Sequence, residues 1–362
     1  MVYNAPVKLT SPRVWRTYQG GSQIDRIHGI LDTEDSQFPE QWLMSVVNAR
    51  NAGREHIPDE GLCYLAGQSL SLKDYIAADP ESALGRAHVQ RFGTTTGVLA
   101  KILDSAERLT IQVHPNRQRA LELFGSPFGK TECWHILNCR EIDGQEPCIY
   151  LGFRENITRE HWMALFQKQD IPGMLECLHR FPVKPGETYL VNAGVPHAIG
   201  AGCLLVEIQE PTDYTVRTER VSPKGLPIHD YQIHQGLGFE KMFDCFVYQG
   251  CSFREAAAQW RIAPDILNDT ASHTHTLLVG PQATACFSLE RYDIRDTVRL
   301  HPQGRSFGLY IFRGTGIITT DEKEIPSQAG EQFFVPAGCT SFTLTAREPI
   351  TAFCFFGPAD HP

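Results

Sequence analysis

The 362-residue chain carries 33 Lys and Arg against 42 Asp and Glu, a formal charge of −9, with 42% hydrophobic and 21% charged residues. That is the balance of a soluble globular protein long enough for two hydrophobic cores, and it argues against a broad nucleic-acid or anionic-membrane footprint. No apolar run approaches the length of a membrane span, the opening MVYNAPVKLTSPRVW lacks the apolar core of a secretion signal, and the eleven cysteines include no C-x-x-C, so the chain reads as a reduced, cytoplasmic protein.

In chain order, SLKDYIAAD (71–79) and SALGRAHVQRF (82–92) read as helices. LTIQVHP (109–115), ECWHIL (132–137) and PCIYLGF (147–153) are strand-like, the first ending at a proline. In NITREHWMALFQKQDIPGMLECLHRF (156–181), Trp162, Leu165 and Phe166, then Met174, Leu175 and Leu178, recur at helical spacing. This predicts a helical insertion at about 154–182, carrying His161 and His179 as ordinary helix histidines.

KPGETYLVNAGVPHAIG (184–200) has a counterpart in QAGEQFFVPAGCTSFTL (328–344). Gly186-Glu187 align with Gly330-Glu331, Val191 with Val335, Ala193-Gly194 with Ala337-Gly338, and His197 with Ser341. Each copy reads as strand, tight turn and strand. SFGLYIFRGTGIITT (306–320) and PITAFCFFG (349–357) add further short strands around the second copy. The pattern predicts a mainly β chain built as two antiparallel jelly rolls, residues 1–245 with the helical insertion and 246–362. The G-x-G in FRGTGI is a strand turn, with no third glycine in step and no following helix. HTH (273–275) is expected on a surface strand with nothing acidic near it.

The duplication acts as an internal control: the scaffold survives at Ser341 without an imidazole, so His197 is not needed for the fold. Gln112 and His114 sit at i and i+2 of a strand and project from one face. Lys130 and Glu132 do the same on the next strand. An amide oxygen, a carboxylate and two imidazoles form a mixed N/O set that suits zinc in a partly open site. EIQEPTDYTVRTER (207–220) is read either as an exposed charged loop or as the mouth of the site, where Glu207 and Arg217 are available for proton transfer and charge stabilisation.

LTIQVHPN, GKTECWHIL, FPVKPGETYLVNAGVPHAIG and EIQEPTDYTVR resemble the type I phosphomannose isomerases, a zinc-dependent cupin family. The resemblance runs, with gaps, from about residue 14 to the C-terminus. YQGG (18–21) and PEQWLMS (39–45) look like altered forms of two further family segments. It implies two cupin-type barrels, the second without metal ligands, and one Zn²⁺ per chain on Gln112, His114, Glu132 and His197. It also implies catalytic roles for Arg217, Glu207 and Lys130, and a reaction interconverting mannose 6-phosphate and fructose 6-phosphate through a cis-enediol. Glu207 is the expected base, desolvation raising its proton affinity; Lys130 is expected on the sugar or its phosphate. The implied partner is a small sugar phosphate, with no nucleic acid or membrane; the sequence carries no signal of oligomeric state. Three places depart from the family pattern: TERVSPKG (218–225) after Arg217, QEPTDYTV (209–216) before it, and Pro39 at the start of PEQWLMS. The altered stretch at 208–224 motivates one alternative, an isomerase of another sugar or sugar phosphate; the second copy, which lacks the histidine, motivates another, a silent sugar-binding cupin.

Overall fold

The computed structural model describes residues 2–359, and its strands are antiparallel and fall, among the described residues, into four sheets. Along the first seven-stranded sheet lie Arg261–Ile262, Thr188–Val191, Glu132–Cys139, Cys203–Gln209, Leu99–Asp104, Glu40–Leu43 and Arg13–Val14. A five-stranded sheet orders Val216–Arg217, Gln112–Val113, His197–Ile199, Cys148–Phe153 and Leu178–Pro182. The C-terminal half repeats the plan with one sheet of seven strands and one of four.

Alternation along the strands decides what lies between the sheets. Trp134 and Ile136 point from the Glu132–Cys139 strand toward Ile149, Leu151 and Ile199 of the five-stranded sheet, forming one core. Cys133 and Leu137 of the same strand face the other way and join Tyr310, Phe334, Phe353 and Phe355 of the second seven-stranded sheet. A third core, with Leu309, Ile311, Phe333 and Phe342, fills the C-terminal pair. The molecule is thus four β layers deep, with the two seven-stranded sheets back to back in the middle. Each half is a pair of opposed sheets, as the jelly-roll pattern predicts, and no closed barrel is present among the described residues.

The halves exchange elements. Val7–Leu9 crosses to pair with Gln332–Val335, and Phe253–Trp260, helical behind a Ser252/Glu255 capping box, docks Trp260 on the N-terminal core. Arg261 and Ile262 then pair with Tyr189 and Thr188. Residues beyond the expected division at 245/246 therefore pack with the first half as far as Ile262.

The helical insertion is shorter than its periodicity predicts. Arg159–Lys168 and Ile171–Glu176 are helices, capped by Thr158 and Asp170. Leu178–Pro182 is instead a strand paired with Cys148–Phe153. His179 is therefore a buried strand residue, its Nε2 3.0 Å from the Cys251 carbonyl; His161 is an exposed helix residue. The HTH segment lies on His273–Val279 as expected, but His275 Nε2 is 2.9 Å from Glu290 Oε2 and its ring stacks on Tyr292. An acidic partner does stand beside it, supplied by the neighbouring strand where sequence spacing cannot show it. No helix among the described residues is long and apolar enough to cross a membrane.

Candidate metal centre

Three strands of two facing sheets deliver the polar group at the heart of the N-terminal half. Glu132 opens its strand between Val191 and Gln209. His197 opens a strand in register with Gln112, and Gln112 is in register with Arg217 on its other side. His114 follows Gln112 past Val113, which turns into an apolar cluster with Ile111 and Phe153. Pro115 ends that strand, and its carbonyl accepts from Lys130 N at 3.1 Å. This bond closes the 115–130 loop and returns Lys130 to the side of His114. The Gly194 N–H, in the turn before His197, donates to the His114 carbonyl at 2.8 Å.

His114, Glu132 and His197 are essentially fully buried, and one ligand atom of each lies within 4.8 Å of the others. His114 Nε2 is 3.2 Å from both His197 Nε2 and Glu132 Oε2, and His197 Nε2 is 3.4 Å from Glu132 Oε1. The Nδ1 atoms face carbonyl oxygens, His114 that of Tyr214 and His197 that of Val195, each at 2.8 Å. A carbonyl only accepts, so both Nδ1 atoms carry the hydrogen and both Nε2 lone pairs aim inward. Burial, with Lys130 alongside, pushes His114 down to about 4, and burial also lowers His197, so both rings are neutral at pH 7. Burial would raise Glu132, but the Lys130 ammonium holds it well below the usual carboxylate range. Glu132 Oε1 has no hydrogen-bond partner. Inward-facing acceptors around one point, one of them an orphaned buried carboxylate oxygen, are the donor set of a divalent metal.

Lys130 partly meets that demand. Its Nζ is 2.8 Å from His114 Nε2 and 2.7 Å from Glu132 Oε2. The His114 lone pair serves this ammonium or a metal, not both.

Beside the cluster is a narrow cavity of about 30 Å³, room for roughly two waters. Gln112, Lys130, Glu207 and Arg217 all line it, and so do Arg16, Tyr18, Glu40, Lys101 and Asp213. Lys101 Nζ donates to Glu207 Oε1 at 2.8 Å, and Arg16 Nε meets Glu40 at 3.0 Å and its Nη2 Asp213 at 3.3 Å. Tyr18 OH and Trp42 Nε1 complete the Glu40 carboxylate at 2.7 and 2.8 Å. Burial would raise Glu40; Arg16 and Lys101 hold it far below its ordinary range. Arg217 differs from its neighbours. Its Nη1 donates only to the carbonyls of Gln232 at 2.7 Å and Thr215 at 3.2 Å, with no carboxylate partner among the described residues. Burial and nearby Arg16 bring it down to about 10, still charged at neutral pH.

The 207–220 segment is neither an exposed loop nor uniformly a mouth. Glu207 lies in a fully buried strand. Glu210 is buried against the Thr131 N–H and Arg117. Glu219 turns away from the cavity to bind Arg108 through both oxygens and the Ile111 N–H. Arg220 covers Phe239 and reaches Asp230. Of the charged residues in the segment, Glu207, Asp213 and Arg217 face the cavity.

Sequence reading gave Arg16, Lys101, Glu40 and Asp213 no role. The signal available for Glu40 was the altered family segment PEQWLMS (39–45); Lys101, in the plain strand Leu99–Asp104, offers none.

Sheet architecture and site together define a mainly β protein of paired antiparallel sheets with a buried His-Glu-His cluster that could hold a metal ion. A family model described as the cupin domain of mannose-6-phosphate isomerase matches residues 280–351. Mannose-6-phosphate isomerase ManA of Bacillus subtilis (strain 168) is 28% identical over 282 residues, 77% of this chain and 82% of the relative. The mannose-6-phosphate isomerase of Streptococcus mutans is 25% identical over 75% of this chain and 80% of its own length. The crystal structure of mannose 6-phosphate isomerase from Bacillus subtilis superposes with a TM-score of 0.75 at 22% identity, covering 97% of this chain and 99% of that one. The chain is similar to the mannose-6-phosphate isomerases over most of its length.

Proposed function

We propose that this protein is a metal-dependent aldose–ketose isomerase interconverting mannose 6-phosphate and fructose 6-phosphate, with zinc held by Gln112, His114, Glu132 and His197. The observation that carries the reading is the convergence of the His114, Glu132 and His197 acceptors beside a cavity lined by Lys130, Glu207 and Arg217. The substrate comes from what the relatives are named for. Gln112 is included because it stands in register with both His197 and Arg217. The catalytic half extends in this reading to about Ile262, since the chain packs with it that far, and the remainder is a cupin copy without metal ligands.

The bound metal supplies Lewis-acid stabilisation of charge on the sugar oxygens. Everything else falls to the chain. Isomerisation moves a proton between C2 and C1 through a cis-enediol, so a base must take it from one carbon and return it to the other. Glu207 is placed for this: Lys101 fixes Oε1, while Oε2 has no hydrogen bond among the described residues. Arg217, charged and without a carboxylate partner, offsets developing negative charge on the oxygens. Lys130 lines the cavity, and with the His114 lone pair committed to a metal its ammonium would be free to meet the sugar or its phosphate there. About 30 Å³ does not hold a hexose phosphate, so substrate binding requires these side chains to move apart.

An isomerase of another sugar is the second reading, because Asp213 and Thr215 of the altered stretch 208–224 line the cavity, although none of residues 218–224 does; higher activity on an unphosphorylated sugar would favour it. The test is isomerase activity on mannose 6-phosphate in zinc-loaded and chelated protein. Activity that vanishes with chelator and returns with Zn²⁺ is expected. A folded, zinc-replete protein without activity sinks the assignment.

A further inference from the structure

Where the two seven-stranded sheets meet, two adjoining cavities of about 350 and 390 Å³ open between the halves. Asn138, Phe312 and Arg313 stand in the walls of both, so together they form one groove. It lies across the sheet from the metal centre: His135 and Leu137, which line it, alternate with Glu132 and Trp134 on the same strand.

Three arginines line this groove: Arg26 from the helix Ser22–Ile27, Arg291 from the strand Ser288–Ile294, and Arg313 at the end of Phe307–Arg313. No Asp or Glu is among its lining residues, although the chain carries nine more acids than bases. Asp293, the carboxylate that touches one of the three, bonds Arg291 Nη2 at 2.8 Å and Thr351 Oγ1 at 2.9 Å. Among the described residues, Arg291 Nε is buried with no partner, and Arg26 is tethered only through Nε to Thr33 Oγ1 at 3.3 Å. Arg313 makes no hydrogen bond or ion pair among the described residues and rests over the ring of Phe312. Asn138 and Gln23, linked at 2.8 Å, add neutral amides, and Ile27, Leu204 and Phe312 form an apolar side.

Three guanidinium groups lining one groove with a single carboxylate, Asp293, among them keep unbalanced positive charge, and their forked donors match phosphate oxygens. A dianion between them balances that charge and uses the idle donors. The amides and the apolar side give a second, less polar part of a ligand somewhere to rest. We infer that this groove is an anion site for the phosphate group of a sugar-sized phosphate ester, separate from the metal centre. Because Arg26 and Asn138 belong to the first half and Arg291 and Arg313 to the second, the ligand bridges the two. The site does not depend on the isomerase reading.

The test is calorimetric titration of zinc-loaded protein with inorganic phosphate and, in a second arm, glucose 6-phosphate. It compares wild type, Arg26→Ala/Arg313→Ala and Arg217→Ala. Arg26 and Arg313 are exposed, so their truncation leaves the fold intact, and a thermal melt of each variant checks it. The double variant is expected to weaken one binding event at least tenfold while kcat and KM on mannose 6-phosphate stay at wild-type values. Arg217→Ala is expected to leave that event in place. Equal affinity in both arms means the groove reads phosphate alone, and tighter binding of the ester means the apolar side contributes; either supports the site. Titrations in which wild type and the double variant coincide overturn it.

Discussion

His114 and His197 present two lone pairs to each other across 3.2 Å, an arrangement that costs energy unless a cation stands between them. The Lys130 ammonium meets the His114 lone pair at 2.8 Å and Glu132 Oε2 at 2.7 Å and leaves that of His197 without it, so the lysine stands in for only part of such a cation. Arg217 has the opposite character, a half-buried cation bonded to carbonyls and to no carboxylate among the described residues. If it serves the transition state, Arg217→Ala should lower kcat by about 10²–10³-fold while zinc content by mass spectrometry stays at one per chain. Loss of zinc in that variant would make it a structural residue. Sequence reading reached Gln112, His114, Lys130 and Glu132 because i and i+2 on a strand share a face, a rule that needs no partner. It reached His197 because the second copy lacks the imidazole. It did not reach Lys101, whose meaning lies in register: Trp42, Lys101, Glu207 and Trp134 stand in one row across four strands, and such a row joins residues that no local spacing connects.

At the scale of elements, two packed surfaces depend on the strand Cys148–Phe153. Its register shifts between Tyr150 and Phe153, and Gly152 in that irregularity has φ 74°. A Cβ there would lie 1.8 Å from the ring of Trp260. The glycine therefore lets the helix Phe253–Trp260 seat its terminal indole on the core, and that helix leads directly into the strand Arg261–Ile262. Gly152→Ala combines a left-handed backbone with a clash against a large buried ring, and should destabilise by about 2–4 kcal/mol. Urea unfolding measures it, and a loss below about 0.5 kcal/mol would show that Trp260 can move aside without cost. The same strand explains why the helical insertion ends early. Met174, Leu175 and Leu178 fit a helical stripe, but Leu178 and Phe181 pair with Phe153 and Ile149. A short apolar segment satisfies either period, and the available sheet edge settles it as a strand.

Across the whole molecule, the repeated plan was legible because both copies keep the same turn. In each, the side chain of the turn glutamate accepts from the N–H three residues before it, Glu187 from Lys184 and Glu331 from Gln328. How the copies stack was not legible, since facing sheets of ordinary apolar residues leave no mark in sequence order. The junction is also not purely apolar. Gln332 is completely buried on the second seven-stranded sheet, and its amide serves the first half. Nε2 donates to the carbonyls of Thr10 at 2.7 Å and Trp42 at 3.1 Å, and Oε1 accepts from the Met44 N–H at 2.7 Å. These groups flank and end the strand Glu40–Leu43, so a residue of the C-terminal copy pins the strand that carries Glu40 to the cavity wall. Gln332→Leu keeps the volume but strands one donor and two acceptors in a dry junction, which should cost about 2–4 kcal/mol. If the two halves form one cooperative unit through this contact, urea unfolding followed by tryptophan fluorescence and by circular dichroism should shift together to lower denaturant. All five tryptophans belong to the N-terminal half or pack against it, so fluorescence reports on that half. A circular-dichroism transition that moves while the fluorescence transition stays fixed would mean that the second copy unfolds alone and that Gln332 is not what joins them.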